Sequence, residues 1–331
     1  MKLLRLNLFI LFIVMGLTTL ACQKTYTLTP ASSTSGSTPA PTSSCNPGSH
    51  SYLSQWGTAG TGNGQFDDPA DVVFDNSGNY IYVTDYFNNR VQEFTASGAY
   101  FSQWGSSGTG PSQFSDPEGL AVDSSGNVYV VDNGNNRVQK FTGAGSFISQ
   151  WGVSGSGNGQ FSYPSFIAMD GHGNCYVSDN WNNRIEEFTT GGTYITQWGV
   201  YGTGNGQLND PEGLAVDSSG NVYVMDRGNN RVQKFTSSGT YLSQWGSLGG
   251  GHGSFDNATG IRLDSCGNIY VADSFNYRVQ EFNSAGTYLT QWGSNGTGNG
   301  EFNAPAGLWI DGSGNVYVTD YYNNRVEKFG P

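Results

Sequence analysis

Charge is scarce and lopsided in this sequence. Of 331 residues only 12% are charged, and 26 acidic residues stand against 14 basic ones. All the acids fall after residue 50, and of the eleven basic residues there, six hold one recurring position: Arg90, Arg137, Arg184, Arg231, Arg278 and Arg325. Too few cations remain for a basic patch, which excludes nucleic acid as a partner. Histidine is rarer still, at His50, His172 and His252, and neither H-E-x-x-H nor G-x-S-x-G occurs, which removes those zinc-hydrolase and serine-hydrolase patterns. The four cysteines include no C-x-x-C pair, the spacing of structural zinc sites. No apolar run reaches the ~20 residues of a membrane span, and no segment shows an amphipathic helical period. Glycine, at 49 residues, and aromatics, at 14%, are plentiful instead, a composition that suits short strands joined by tight turns.

The N-terminus carries Lys2 and Arg5, then the ten-residue apolar run 8–17, then Thr18, Thr19, Leu20, Ala21 and Cys22. This is the layout of a cleaved secretory signal over 1–21. A small residue before a cysteine resembles the bacterial lipoprotein cleavage motif, in which Cys22 would be lipidated; the alternative is an ordinary signal with an incidental cysteine. Residues 22–50 are rich in Ser, Thr and Pro and read as a polar tether. The expectation is an exported, cell-envelope protein, lipid-anchored or secreted. Past Cys22 the cysteines are Cys45, Cys175 and Cys266, an odd set that spells no disulfide framework, with Cys175 and Cys266 poorly placed to pair.

From residue 51 onward a block ending in Q-W-G recurs, its tryptophans at Trp56, Trp104, Trp151, Trp198, Trp245 and Trp292, one step of 48 and then steps of 47. In the copy running to Trp151, G-L-A-V-D and N-V-Y-V-V-D flank S-S-G, a hairpin; N-R-V-Q-K-F adds a third strand and S-F-I-S-Q-W-G a fourth. Each unit is thus a four-stranded antiparallel meander, and such sheets cover both apolar faces by packing between neighbours in a ring. The chain opens this region on a lone fourth strand, 51–57, and ends on a third strand. The fold expected over 51–331 is therefore an all-β six-bladed β-propeller of four-stranded antiparallel blades, closed by the N-terminal strand completing the last blade.

Through P-E-G-L-A-V-D, G-N-V-Y-V-x-D and N-N-R-V-Q-K-F the sequence resembles the NHL-repeat family of six-bladed propellers over about 280 residues. The resemblance implies the fold strongly and the function weakly, since the family serves protein binding, RNA binding and extracellular sensing, and its relatives include metal-dependent lyases and lactonases. Those relatives place His or several carboxylate and amide ligands at the channel.

Residues that recur in every copy read as scaffold. Asp85, Asp132, Asp179, Asp226, Asp273 and Asp320 stand five residues before the repeat arginines and suit turn-fixing ion pairs better than a Ca²⁺ ring. The hairpin acids Asp75, Asp123, Asp170, Asp217, Asp264 and Asp311 suit turns, and the tryptophans suit packing between blades. Function is sought where copies differ. After the second strand, Tyr86, Phe87, Trp181, Arg227, Phe275, Tyr321 and Tyr322 crown one face, either as ligand contacts or folded onto neighbouring loops. Near the channel mouth, Asp71, Glu118 and Glu212 are candidate ligands for Ca²⁺, another divalent cation or a basic group, or solvated acids. Within the first strand Arg262 and Trp309 replace Ala or Val of the other copies, which suggests a cation–π pair across a blade interface or a channel site. The reading favoured is a recognition module for a protein, peptide or glycan, expected as a monomer, with no catalytic residue assigned and no cofactor required. The alternative is a metal-dependent propeller enzyme with its site at the channel.

Overall fold

Valine, isoleucine and tyrosine fill the runs between glycine turns, and these runs are strands. The computed structural model describes residues 48–331, where six antiparallel sheets hold four strands each. The signal segment, Cys22, Cys45 and all but the end of the tether lie outside the described residues. Five blades are consecutive meanders, as in Pro117–Val122, Val128–Asp132, Arg137–Phe141 and Phe147–Trp151. In the sixth, Pro305–Ile310, Val316–Asp320 and Arg325–Gly330 are completed by Ser51–Trp56, with Ser51 opposite Gly330 and Trp56 opposite Val326. First strands neighbour one another around the axis, and Pro69–Phe74 touches both Pro117–Val122 and Pro305–Ile310. Deleting residues 51–57 strips Arg325–Gly330 of its outer partner. The expected result is a broad, early thermal transition by circular dichroism; an unchanged melting temperature would refute closure by this strand.

The core lies between blades. Ala121, Tyr129, Val131 and Val138 of the second blade pack with Phe161, Ile167, Cys175, Val177 and Phe188 of the third; each fully buried Phe there contributes about 1.5–3 kcal/mol. The fourth strand Phe147–Trp151 alternates half-buried and exposed residues, and its tryptophan packs across the blade interface. Trp56 lies under the turn of the next blade, where Gly98 (φ +83°) has no room for a side chain: a Cβ would come within 2.8 Å of the indole. The last blade lacks such a turn, because its third and fourth strands are opposite ends of the chain. There the His50 ring covers Trp292 (4.1 Å) and meets Tyr270 edge-on (5.6 Å), while Nε2 lies 3.1 Å from the buried Glu281 Oε2. His50, expected in the tether, thus belongs to the propeller.

The Asp–Arg pairs are clamps. Arg90 Nε donates to Asp85 Oδ2 (2.6 Å), Nη1 to Thr61 O and Gln103 Oε1, and Nη2 to the carbonyls of Gly62 and Gln65, tying the loop that leads into the blade to its third and fourth strands. All six blades repeat the Asp–Arg contact at 2.6–2.8 Å. The hairpin acids accept backbone N–H groups, Asp123 from Ser125 and Asn127. Cys175 is buried and free, whereas Cys266 is disulfide-bonded, so these two do not pair with each other.

Candidate functional site

Two cavities lie along the axis, one at each end. That on the face of the turns after the second strands has a volume of about 250 Å³. The other, about 380 Å³, is bounded by the far ends of the first strands and includes Leu120, Ile167, Leu214, Arg262 and Trp309. Arg262 of the second cavity's wall belongs to a buried strut. Arg262 of the fifth blade reaches the first blade, its Nη2 2.9 Å from Asp71 Oδ2, while Nη1 donates to the carbonyls of Leu214 (3.2 Å) and Ile261 (3.1 Å). Asp71, fully buried, also accepts the amides of Val72 and Leu120, both at 2.9 Å. Desolvation pushes its carboxyl above the usual range, against the pull of Arg262.

This corrects two expectations. Arg262 does not pair with Trp309, which stacks instead on Phe74 (6.4 Å, 14° between planes); a buried guanidinium gains more from a carboxylate and carbonyls than from a ring face. Nor does Asp71 join Glu118 and Glu212 as an open ligand, because its two oxygens are taken. Among the described residues no group of three or more His, Cys, Asp or Glu is arranged to hold a metal.

Glu118 and Glu212 do meet at the first cavity, whose wall also includes Tyr86, Arg227, Phe275, Tyr321 and Tyr322. Each glutamate follows the proline that opens a first strand. Arg227 Nη1 lies 3.0 Å from Glu212 Oε1 while Nε donates to Asp210 Oδ2 (2.8 Å). Asn180 Nδ2 donates to Glu212 Oε1 (3.0 Å) and Asn133 Nδ2 to Glu118 Oε2 (2.9 Å). Glu212 is only 3% exposed, and its Oε2 makes no well-formed hydrogen bond, although the Ser165 side chain lies close enough to favour the carboxylate. Burial raises its pKa to about 7, with Arg227 pulling the other way; burial and then Glu212 push Glu118 well above the carboxylate range. At the rim, burial and the neighbouring Asp67 raise Asp68 to about 6.

The aromatic residues divide. Tyr86 and Tyr321 fold inward, 6.1 Å apart, and burial raises both phenols. Phe275 and Tyr322 line the cavity yet stay about half exposed. Phe87 packs on Tyr86 (4.9 Å) and Trp181 stacks on Tyr163 (4.0 Å), and both remain exposed outside the cavity wall. Asp210, Asn133 and Asn180 were not anticipated as site residues. Asp210 precedes the proline of a first strand, and the two asparagines open turns, so each carries a sufficient local reading. His172 sits in a hairpin turn, its amide bonded to Asp170, and His252 stacks on Tyr288 (4.3 Å) in a loop that leads into the fifth blade.

In sequence, the NHL repeat matches residues 66–94, 114–141 and 208–235, and a 6-bladed beta-propeller family matches 261–330. No curated relative matches the chain. Among solved structures, a streptogramin B lyase is similar with a TM-score of 0.59 at 16% identity, over 85% of this chain and 98% of that one. The virginiamycin B lyase of Staphylococcus aureus gives 0.58 at 14%, over 85% and 98%. A gluconolactonase of Xanthomonas campestris gives 0.61 at 13%, over 81% and 87%. At such identities the likeness is one of fold.

Proposed function

The chain is an NHL-repeat six-bladed β-propeller, and we propose that it works as an extracytoplasmic recognition module, exported by its 1–21 signal and anchored through Cys22 or secreted. Its ligand is a protein, peptide or glycan, part of which enters the axial cavity. The observation that carries this reading is the convergence of Tyr86, Tyr321, Tyr322, Phe275, Arg227 and the two glutamates on one cavity, although they come from five blades. Half-exposed rings around a cluster of charged groups are poor scaffold and good contact surface. Peptide and glycan arrays probed with the protein should show discrete binders. Tyr322→Ala and Phe275→Ala should each weaken them at least tenfold at an unchanged melting temperature, and undiminished binding by both variants would overturn the reading.

One observation favours catalysis at the channel as the second reading. Glu118 and Glu212 are two carboxylates whose raised pKa values suit general acid–base work. A tightly held stoichiometric divalent ion in the purified protein, found by elemental analysis, would favour the metal-dependent form of that reading.

A further inference from the structure

We propose, building on the recognition reading, that the axial cavity takes a single organic cation, the ammonium or guanidinium end of a basic peptide side chain, against Glu118 and Glu212 and between the rings of Tyr86, Tyr321 and Phe275.

The first support is an unmet acceptor. Glu212 lines the cavity, is more than nine-tenths buried, and has an Oε2 that makes no well-formed hydrogen bond, with the Ser165 side chain the one further donor near the carboxyl, although buried polar atoms are nearly always satisfied. Asn180 Oδ1, beside it, is likewise buried without a partner. The second is charge. Arg227 is engaged by Asp210 and Glu212, so three carboxylates, with Glu118, share one guanidinium. Glu118 has a neutral partner, the Asn133 amide, as its hydrogen-bond donor. The third is the wall, since aromatic faces attract a cation through their ring quadrupoles. The fourth is size: about 250 Å³ falls just below the range of ~300–1,000 Å³ usual for whole-ligand pockets, and so suits one side chain better than a saccharide. Ca²⁺ seeks roughly six to eight oxygens, which two carboxylates among aromatic rings do not offer.

An incoming cation would draw Glu118 and Glu212 into their carboxylate forms. The charged or titratable groups around them are Arg227, Asp210, Asp71, Tyr86 and Tyr321. Of the two glutamates, Glu212 titrates at about 7, so binding should tighten between pH 6 and pH 8.

The full chain would be titrated calorimetrically with N-acetyl-lysine methylamide, its uncharged norleucine analogue, butylammonium chloride and calcium chloride. The lysine compound should bind one to one, at least tenfold tighter than the norleucine compound and tighter at pH 8 than at pH 6. Glu118→Gln should weaken it at least tenfold, and Glu212→Gln serves as a second variant should the first fail to fold. Butylammonium binding as tightly as the lysine compound would point to a free amine as the natural cation, and weaker binding to a peptide side chain; both support the inference. Equal binding of lysine and norleucine compounds that Tyr322→Ala abolishes would leave the recognition reading standing and overturn the cation. Binding of no amine, or Ca²⁺ displacing the lysine compound, would overturn it as well.

Discussion

Replacing Asp71 by alanine is expected to destabilise the propeller by about 3–5 kcal/mol, the usual result of leaving one member of a buried ion pair uncompensated. The variant strands Arg262 in the channel, its side chain only 11% exposed, and removes the acceptor of the Val72 and Leu120 amides. Four of the other blades carry glycine at the position of Asp71, and three carry alanine at that of Arg262. The double variant Asp71→Gly, Arg262→Ala therefore restores residues the repeat already accommodates, and should recover most of the loss. Urea unfolding of the two single variants and the double measures this directly. A double variant no more stable than Asp71→Ala would show that the pair does not act as a unit.

Converting Glu186 and Glu327 to glutamine should stabilise the protein at pH 8, by on the order of 3 kcal/mol per site. Four blades carry glutamine at this third-strand position. There Gln92 Oε1 accepts the Gly64 amide, while Nε2 donates to Gln65 O (2.6 Å) and Asp85 Oδ2 (3.0 Å). Glu186 and Glu327 keep the first contact, from Gly159 and Gly300, and their Oε1 atoms also lie 3.1 and 3.3 Å from Arg184 and Arg325 Nη2, but their Oε2 atoms have no partner. Only the protonated acid can make the missing bond. Burial accordingly raises both to about 7, with Arg184 and Arg325 opposing. With the folded pKa above the unfolded value, the native state holds its proton longer. Stability therefore falls as pH rises from about 4.5 through 7 and is fully retained only below that window. The glutamine variant should match the parent near pH 4 and exceed it progressively up to pH 8. Parallel thermal melts across this range decide the point, and a gap that did not grow with pH would refute it.

The fold was legible because it is written six times. Apolar alternation marks each strand, S-S-G and its equivalents mark the hairpins, and the unpaired segment 51–57 marks the closure. The turn role of Asp85 and its equivalents followed from their constant five-residue spacing to an arginine. The candidate site was legible in part. Glu118, Glu212, Arg227, Tyr86, Phe275, Tyr321 and Tyr322 stood out as departures from the repeat, and they share one cavity. Trp181 and Phe87 stood out equally, but they pack on Tyr163 and Tyr86 outside that cavity's wall. Asp210 and Asn180 did not stand out, since Asp before Pro and Asn in a turn already have local explanations. His50 looked like tether because nothing near it in sequence reveals that Trp292 lacks a cover.

By itself the sequence determined the blade, the number of blades and the strand that closes the ring. All three depend on periods of two and 47 residues and on turn residues that act on their immediate neighbours. Only the tertiary structure decided who meets whom across the axis. Arg262 finds Asp71, 191 residues away, and Glu118 faces Glu212 two blades on. The reason is geometric: six first strands converge on one line, so side chains far apart in sequence become neighbours there. In the low-dielectric centre of the ring their charges settle by proximity and desolvation, neither of which is carried by a local pattern.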